Sequence, residues 1–479
     1  MRKLSNSYSE NVMQMDRLLR VDENFDMLKK IVKVGEDELT FYYLDGFVKD
    51  AVMQKLMLSL SGQKGICPEK DAGEAAAYEF MRSYVIYVET DVTSSLDAMI
   101  AAVMSGGSLM LGSRFGSYAI LVDSRSYPAR ETTEPQNDRV MRGPRDGFVE
   151  TLISNTALIR RRIRDTSLTM SYISVGSKSK TDVVLCYMAD RADGEYVKKL
   201  EEKLRSLKVA SLTMGHQSLA ESLIKTSWYN PFPKIRITER PDVAAAQLYE
   251  GSIILLIDTS PQAMILPTSI FDFLQETNDF YFPPLTGSYI RAVRHIIFWL
   301  TLFLVPVWYL MTRYPESVPQ FLSFALPKEL GLVPIIAQLL IVEFVVDGLK
   351  MASMNTPDML SNSLSVVGGL ILGDFAVNLG WLIPEVIILT AFVAIANFSQ
   401  RSYELGYAFK FMRIMLLILS GIFGIWGFLI GVALVIVLLA TNKTINGECK
   451  YLYPLIPFSG KALATVLFRV RKKDEKNGQ

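Results

Sequence analysis

The chain has 479 residues, with 50 Lys and Arg against 49 Asp and Glu, a formal charge of +1. That balance argues against a nucleic-acid partner, because domains that grip phosphate are strongly basic. Three cysteines, Cys67, Cys186 and Cys449, share no metal-ligand or disulfide spacing, so they read as structural thiols in a reducing compartment, and no metal or cofactor is required.

From Met1 to Lys30 the chain is polar and mixed in charge, without an apolar stretch followed by a small-residue cleavage site. Residues 1–75 read as an N-terminal helical segment. A phrase then recurs: Gly116-Ser117-Tyr118-Ala119-Ile120-Leu121-Val122-Asp123-Ser124 matches Gly251-Ser252-Ile253-Ile254-Leu255-Leu256-Ile257-Asp258-Thr259. Each is an apolar β run entered from Gly and closed by an Asp turn signal. Each follows a helical stretch, Asp91–Met104 and Asp242–Tyr249. Residues 106–115 lack a counterpart in this register. Thr181–Met188 reads as a buried strand and Glu195–Leu207 as an amphipathic helix. The expectation is a cytosolic α/β domain of two related lobes, 76–145 and 166–288, joined by a helix over 146–165.

Asp146 is the expected N-cap of that joining helix, which ends in Arg160, Arg161, Arg162 and Arg164. With Arg142 and Arg145 upstream, these guanidinium groups are candidates for an assembly surface, since Arg's planar fork suits subunit interfaces. The alternative is a solvated last turn favoured by the helix dipole.

After Tyr289 the composition changes to long apolar runs. A bilayer's hydrocarbon takes about 20 apolar residues as helix, and Ala292–Thr312, Leu332–Leu349, Leu364–Gly380, Trp381–Ser399 and Ile414–Ala440 reach or approach that length. Residues 289–442 therefore read as a multi-span all-α membrane domain of four to six spans or re-entrant segments. Residues 443–479 form a basic cytosolic tail. Arg291 and Arg294 before the first span, and Arg469, Arg471, Lys472, Lys473 and Lys476 at the end, place both termini in the cytosol. Five full crossings would separate the termini. Either one run is re-entrant, or Ile414–Ala440, with Gly421, Gly424, Gly427 and Gly431, bends back on itself.

Acids inside these runs carry the functional reading. Glu343 and Asp347, four residues apart, share one helix face, and Asp374 with Asn378 repeats the spacing. A carboxylate in lipid costs at least about 2.5 kcal/mol, so such groups face a bundle interior or water, and rings of acids select cations. All four are ion-pathway candidates. The bland alternative for Asp347 is an interfacial ion pair near Lys350. Gly369 with Gly373, and Gly427 with Gly431, form Gly-x-x-x-Gly pairs suited to close helix packing. An enzyme is not expected: there is no phosphate-binding loop, and the two histidines are His216 and His295, the latter read as interfacial.

Several of these segments are also the ones that resemble a known family. Met141-Arg142-Gly143-Pro144-Arg145-Asp146-Gly147-Phe148-Val149-Glu150, Asn155-Thr156-Ala157-Leu158-Ile159-Arg160-Arg161-Arg162-Ile163, Pro231-Phe232-Pro233 and Thr238-Glu239-Arg240-Pro241-Asp242 follow in the order found in the A subunits of bacterial spore germinant receptors. In the membrane half, Tyr281-Phe282-Pro283-Pro284, Asn355-Thr356-Pro357, Tyr403-Glu404-Leu405-Gly406-Tyr407 with Lys410-Phe411-Met412-Arg413, and the stretch from Tyr451 to Phe458 are similar to one branch in particular. The resemblance covers about residues 75 to 473. It implies a two-lobed cytosolic domain on a helical membrane domain in the inner membrane of an endospore. It also implies a homo-oligomeric, ion-conducting subunit that acts with other germination membrane proteins. A ligand-sensing receptor module and a purely structural scaffold are the competing functions.

Overall fold

The structure, a computed structural model, describes residues 4–61, 72–85, 89–125, 143–224, 228–276, 278–329, 331–355, 369, 373, 375–398, 400, 402–442, 444–445, 447 and 451–468. Its contacts divide the chain into two compact units, residues 1–225 with 235–267, and 226–234 with 268–479.

The first unit is one design used twice. The first lobe runs α1 (Tyr8–Leu19), β1 (Met27–Val34), β2 (Asp37–Leu44), α2 (Asp50–Ser61), α3 (Glu74–Tyr84), β3 (Thr90–Thr93), α4 (Leu96–Met104), β4 (Ser108–Gly112) and β5 (Ala119–Val122). The second runs α5 (Leu152–Arg162), β6 (Leu168–Val175), β7 (Thr181–Met188), α6 (Gly194–Arg205), α7 (His216–Leu223), β8 (Arg236–Thr238), α8 (Pro241–Tyr249), β9 (Ile253–Ile257) and β10 (Ala263–Leu266). Both sheets are antiparallel and ordered alike, β1-β2-β4-β5-β3 and β6-β7-β9-β10-β8. Side chains alternate across the first sheet as the pleat requires. Leu39 and Phe41 pack with Leu56 and Phe80 on one face, while Tyr42 and Leu44 pack with Met15, Leu19 and Met99 on the other.

The duplication is real, but its register is not the one read from sequence. Asn155 follows Asn11 by 144 positions, and the same offset relates Ser252 to Ser108 and Ala263 to Ala119. Thus β9 corresponds to β4, and β10 to β5. Residues 106–115, expected to lack a counterpart, hold the strand equivalent to β9. The cause is local mimicry: Gly107-Ser108 and Gly116-Ser117 both precede apolar strands, and only the pairing distinguishes them. The two asparagines make the offset concrete. Asn11 accepts from the Ser5 amide at 2.8 Å and donates to the Ser5 carbonyl at 2.8 Å. Asn155 does the same to Val149, at 2.8 and 2.6 Å. Each buried amide thus fixes the chain entering its helix at both polar atoms, as a buried side chain of this type must.

Three expected boundaries move. Residues 1–75 are not a helical segment, because β1 and β2 form a hairpin there, Met27 opposite Leu44 and Val34 opposite Asp37. The joining helix begins at Leu152, not Asp146, and belongs to the second lobe as the counterpart of α1; the Leu152 amide donates to Asp258 Oδ1 at 3.2 Å. The second lobe ends at Pro267, since Phe271, Phe273 and Leu274 pack with Phe298 and Phe409 of the second unit.

The second unit is helical: α9 (Asn278–Tyr281), α10 (Pro284–Arg313), α11 (Ile335–Asn355), α12 (Pro384–Phe398), α13 (Tyr403–Phe423), α14 (Ile425–Ala440) and α15 (Gly460–Leu467), with a short turn at Ala376–Asn378. Two of them, α10 and α13, are long and apolar enough to cross a membrane; α12 and α14 are shorter apolar helices. The stretch Ile414–Ala440 is not one continuous helix but bends back on itself. Gly424 at φ 62°, a region that costs non-glycine residues dearly, separates α13 from α14. The hairpin is tight. A Cβ on Gly427 would collide with the Leu419 carbonyl, and one on Gly431 with the Leu416 side chain. Arg313, ending α10, donates to the Ser420 carbonyl at 2.9 Å and the Gly421 carbonyl at 2.6 Å, satisfying acceptors that the end of α13 leaves open. Pro231-Phe232-Pro233 lies in this unit too, where the Tyr451 hydroxyl donates to the Pro233 carbonyl at 2.8 Å and Phe232 meets Phe409 edge-on.

Candidate functional site

The acids of α11 meet the cations of α13. Glu343 and Asp347 lie one helical turn apart on α11, and Lys410 and Arg413 one turn apart on α13, so two antiparallel helices present two matching pairs. Arg413 Nε and Nη2 each reach Glu343 Oε1 at 2.7 Å. Lys410 Nζ lies 2.5 Å from Asp347 Oδ2 and 3.3 Å from Glu343 Oε2, and donates to the Glu343 carbonyl at 2.9 Å. Arg413 Nη1 donates to the Thr301 carbonyl of α10 at 2.7 Å. Glu343, Lys410 and Arg413 are buried, whereas the Asp347 side chain keeps 34% of its exposure. Two acids face two bases, and the donors are further satisfied by backbone carbonyls, which is the condition under which buried charge is tolerated.

This quartet closes one end of a cavity of about 270 Å³ between α11, α12 and α13. Thr390, Val393 and Asn397 of α12 form one wall, and Tyr403, Gly406 and Tyr407 of α13 another. Asn397 Oδ1 is buried with no hydrogen-bond partner among the described residues, and Gln400 Oε1 is in the same state. The Lys350 ammonium lies 5.1 Å from the Tyr403 ring centroid and 4.7 Å from that of Tyr407. One turn past Arg413, Leu417 joins Val305, Trp308, Leu339, Val342 and Val386 in a dry cluster. On that side the cavity gives way to apolar packing.

Of the four expected pathway residues, Glu343 and Asp347 reach this site, Asn378 is exposed in the turn at Ala376–Asn378 and does not line it, and Asp374 lies outside the described residues. The partners of Asp347 and Glu343 were absent from the residue-level reading, which offered Lys350 instead. The signal was nonetheless there, since Lys410 and Arg413 interrupt a helix that is otherwise apolar down one face. At Gly369 and Gly373 an added Cβ would meet nothing within 4 Å among the described residues, unlike at Gly427 and Gly431.

The arginine cluster separates into different roles. Arg160 is 1% exposed and points inward, pairing with Asp26 at 2.9 and 3.0 Å and donating to the Leu168 carbonyl at 3.0 Å. It joins the second lobe to the first, and as an assembly residue for an outside partner it is withdrawn. Arg162 pairs with Asp146 at 2.5 Å, which is where the expected N-cap spends its carboxylate. Arg145, Arg161 and Arg164 are exposed, and Arg142 lies outside the described residues. Arg291 and Arg294, expected as flanking cations, are buried on Asp279, with Arg294 also 2.5 Å from Glu276. His295 is buried as well, with Nδ1 2.8 Å from the Arg291 carbonyl. Cys186 is buried in the second lobe, where burial pushes its thiol pKa far above the usual value and leaves it unreactive.

The family model for the Bacillus/Clostridium GerA spore germination protein matches residues 15–478. The chain belongs to this GerA family. Among GerA relatives, it is 36% identical to stage V sporulation protein AF of Bacillus subtilis (strain 168) over 454 residues, 95% of this chain and 90% of the relative. It is 26% identical to spore germination protein KA of the same organism over 473 residues, 98% of this chain and 85% of that one. The N-terminal domain of the A subunit of the Bacillus megaterium spore germinant receptor GerK3 aligns with 56% of this chain and 96% of its own length, at 24% identity and a TM-score of 0.43.

Proposed function

We propose that this GerA-family chain is the membrane-embedded subunit of a spore germination complex in the inner membrane of the endospore. In this reading it crosses the membrane several times with its lobes and basic tail in the cytosol, assembles as a homo-oligomer beside other germination membrane proteins, and passes monovalent cations during germination. The observation that carries the reading is the recess between α11, α12 and α13, where buried charges of both signs, Glu343, Lys410 and Arg413, border a cavity inside an apolar bundle. Ionisable groups inside a membrane bundle are rare, face its interior and mark substrate or ion pathways, proton relays or counter-ions.

A scaffold or signal-relaying subunit is the second reading, and the full pairing of Glu343 and Asp347 favours it. Reconstitution separates the two. The purified chain in potassium-loaded vesicles should release potassium, and Asp347→Asn, which leaves Lys410 its contact with Glu343, should change the rate at least about tenfold while the oligomeric mass stays the same. Release equal to that of empty vesicles, from wild-type chain and variant alike, would remove the conducting role.

A further inference from the structure

The membrane unit holds one cation in an unusual setting. The Lys350 ammonium leaves the end of α11 and lies over two tyrosine rings of α13, 4.7 Å from Tyr407 and 5.1 Å from Tyr403. Two aromatic faces converging on one ammonium form a recognised way to bind cations, through the negative face of each ring's quadrupole. The surroundings supply acceptors as well. Asp347 stands one turn before Lys350 with a third of its side chain still open. Asn397 contributes a buried oxygen that lacks a hydrogen-bond partner, and it lines the same recess. An unpartnered buried acceptor calls for a donor or a positive ion.

We infer that the Tyr403–Tyr407 pair, with Asp347 and Asn397, is a binding site for a small ammonium-like cation, and that Lys350 occupies it as a tethered substitute. Lys350 is then a built-in competitor. Its effective concentration is that of a group on a short tether, in the millimolar range or above, so a free cation of ordinary affinity is excluded until α11 shifts or Lys350 leaves. This rests on reading the recess as a cation path, but the site is defined by binding and does not need flux. It gives the path a stopper that differs from the Glu343–Arg413 pair: a side chain that fills the mouth instead of a salt bridge that closes the floor.

Lys350→Met keeps the length of the side chain and removes its charge, so it empties the aromatic pair. The probe is tetramethylammonium, added to the full chain in detergent, with thermal unfolding as the readout. Lys350→Met should be stabilised saturably by the probe, and the wild-type chain should respond at least about tenfold more weakly. In the Lys350→Met background, Tyr403→Leu with Tyr407→Leu should abolish the response, while Tyr407→Phe, which keeps the ring, should retain it. Equal responses from wild type and Lys350→Met would overturn the tethered-competitor role. A response that survives loss of both rings, or that is missing from Lys350→Met while its unfolding remains cooperative, would overturn the site. Absence of flux in vesicles, with saturable binding intact, would count against conduction alone.

Discussion

Arg160 illustrates how a single side chain can look like surface and act as core. In sequence it is one of four arginines in a helical end, and a solvated turn or a docking surface are the natural readings. The fold turns it through the helix to the far side, where Asp26, Asn24 and the Leu168 carbonyl take up its donors. Removing it strands the Asp26 carboxylate in a dry seam. Arg160→Ala should therefore lower the stability of the two-lobed unit by about 3–5 kcal/mol, read from urea unfolding of the full chain, and Asp26→Asn in the same background should recover part of the loss. Arg161→Ala, on the exposed side, should change little. The acids at Glu343 and Asp347 were legible for the opposite reason: nothing in an apolar helix hides a charge. What periodicity cannot display is which charge of another helix meets it, and so Lys410 and Arg413 were unread as partners.

At the scale of elements, strands were harder to read than helices. The hairpin of β1 and β2 escaped notice because β1 is an edge strand carrying Lys29, Lys30 and Lys33, and its burial does not alternate: Met27 and Val34 at its ends are buried while Ile31 is exposed. Edge strands need such lysines to avoid pairing with other chains. Conversely, β9 is buried at every position, reads as a plain apolar run, and was found at once. Among the helices, the α13–α14 hairpin is set by glycines whose missing side chains are occupied by the opposite helix. Gly427→Leu should prevent the two helices from closing and sharply reduce the folded yield from membranes, whereas Gly369→Leu should not. Comparable yields for both variants, measured by size-exclusion chromatography in detergent, would show that the hairpin does not need this contact.

For the whole molecule, the proposed orientation makes a direct statement about access. A single cysteine at Arg125 or Lys473, in a chain whose native cysteines are replaced, should stay unlabelled by an impermeant thiol reagent added to intact cells and become labelled after permeabilisation. Labelling from outside at either position would reverse the orientation derived from flanking basic residues.

The two lobes, finally, meet head to tail: lobe one offers Asn24 to Asp26, and lobe two receives them on Met170 and Arg160. A head-to-tail contact between identical modules has no natural end, and repetition turns it into a fibre. Here the repetition stops after two. The position in α1 equivalent to Arg160 is Asp16, an acid already engaged by Lys29 at 2.6 Å and by the Tyr42 hydroxyl at 2.9 Å. Lobe one thus carries the plug without an equivalent socket, in the manner of a capping repeat with a polar outer face. With an acid where the socket would need a guanidinium, this contact joins two lobes and does not propagate.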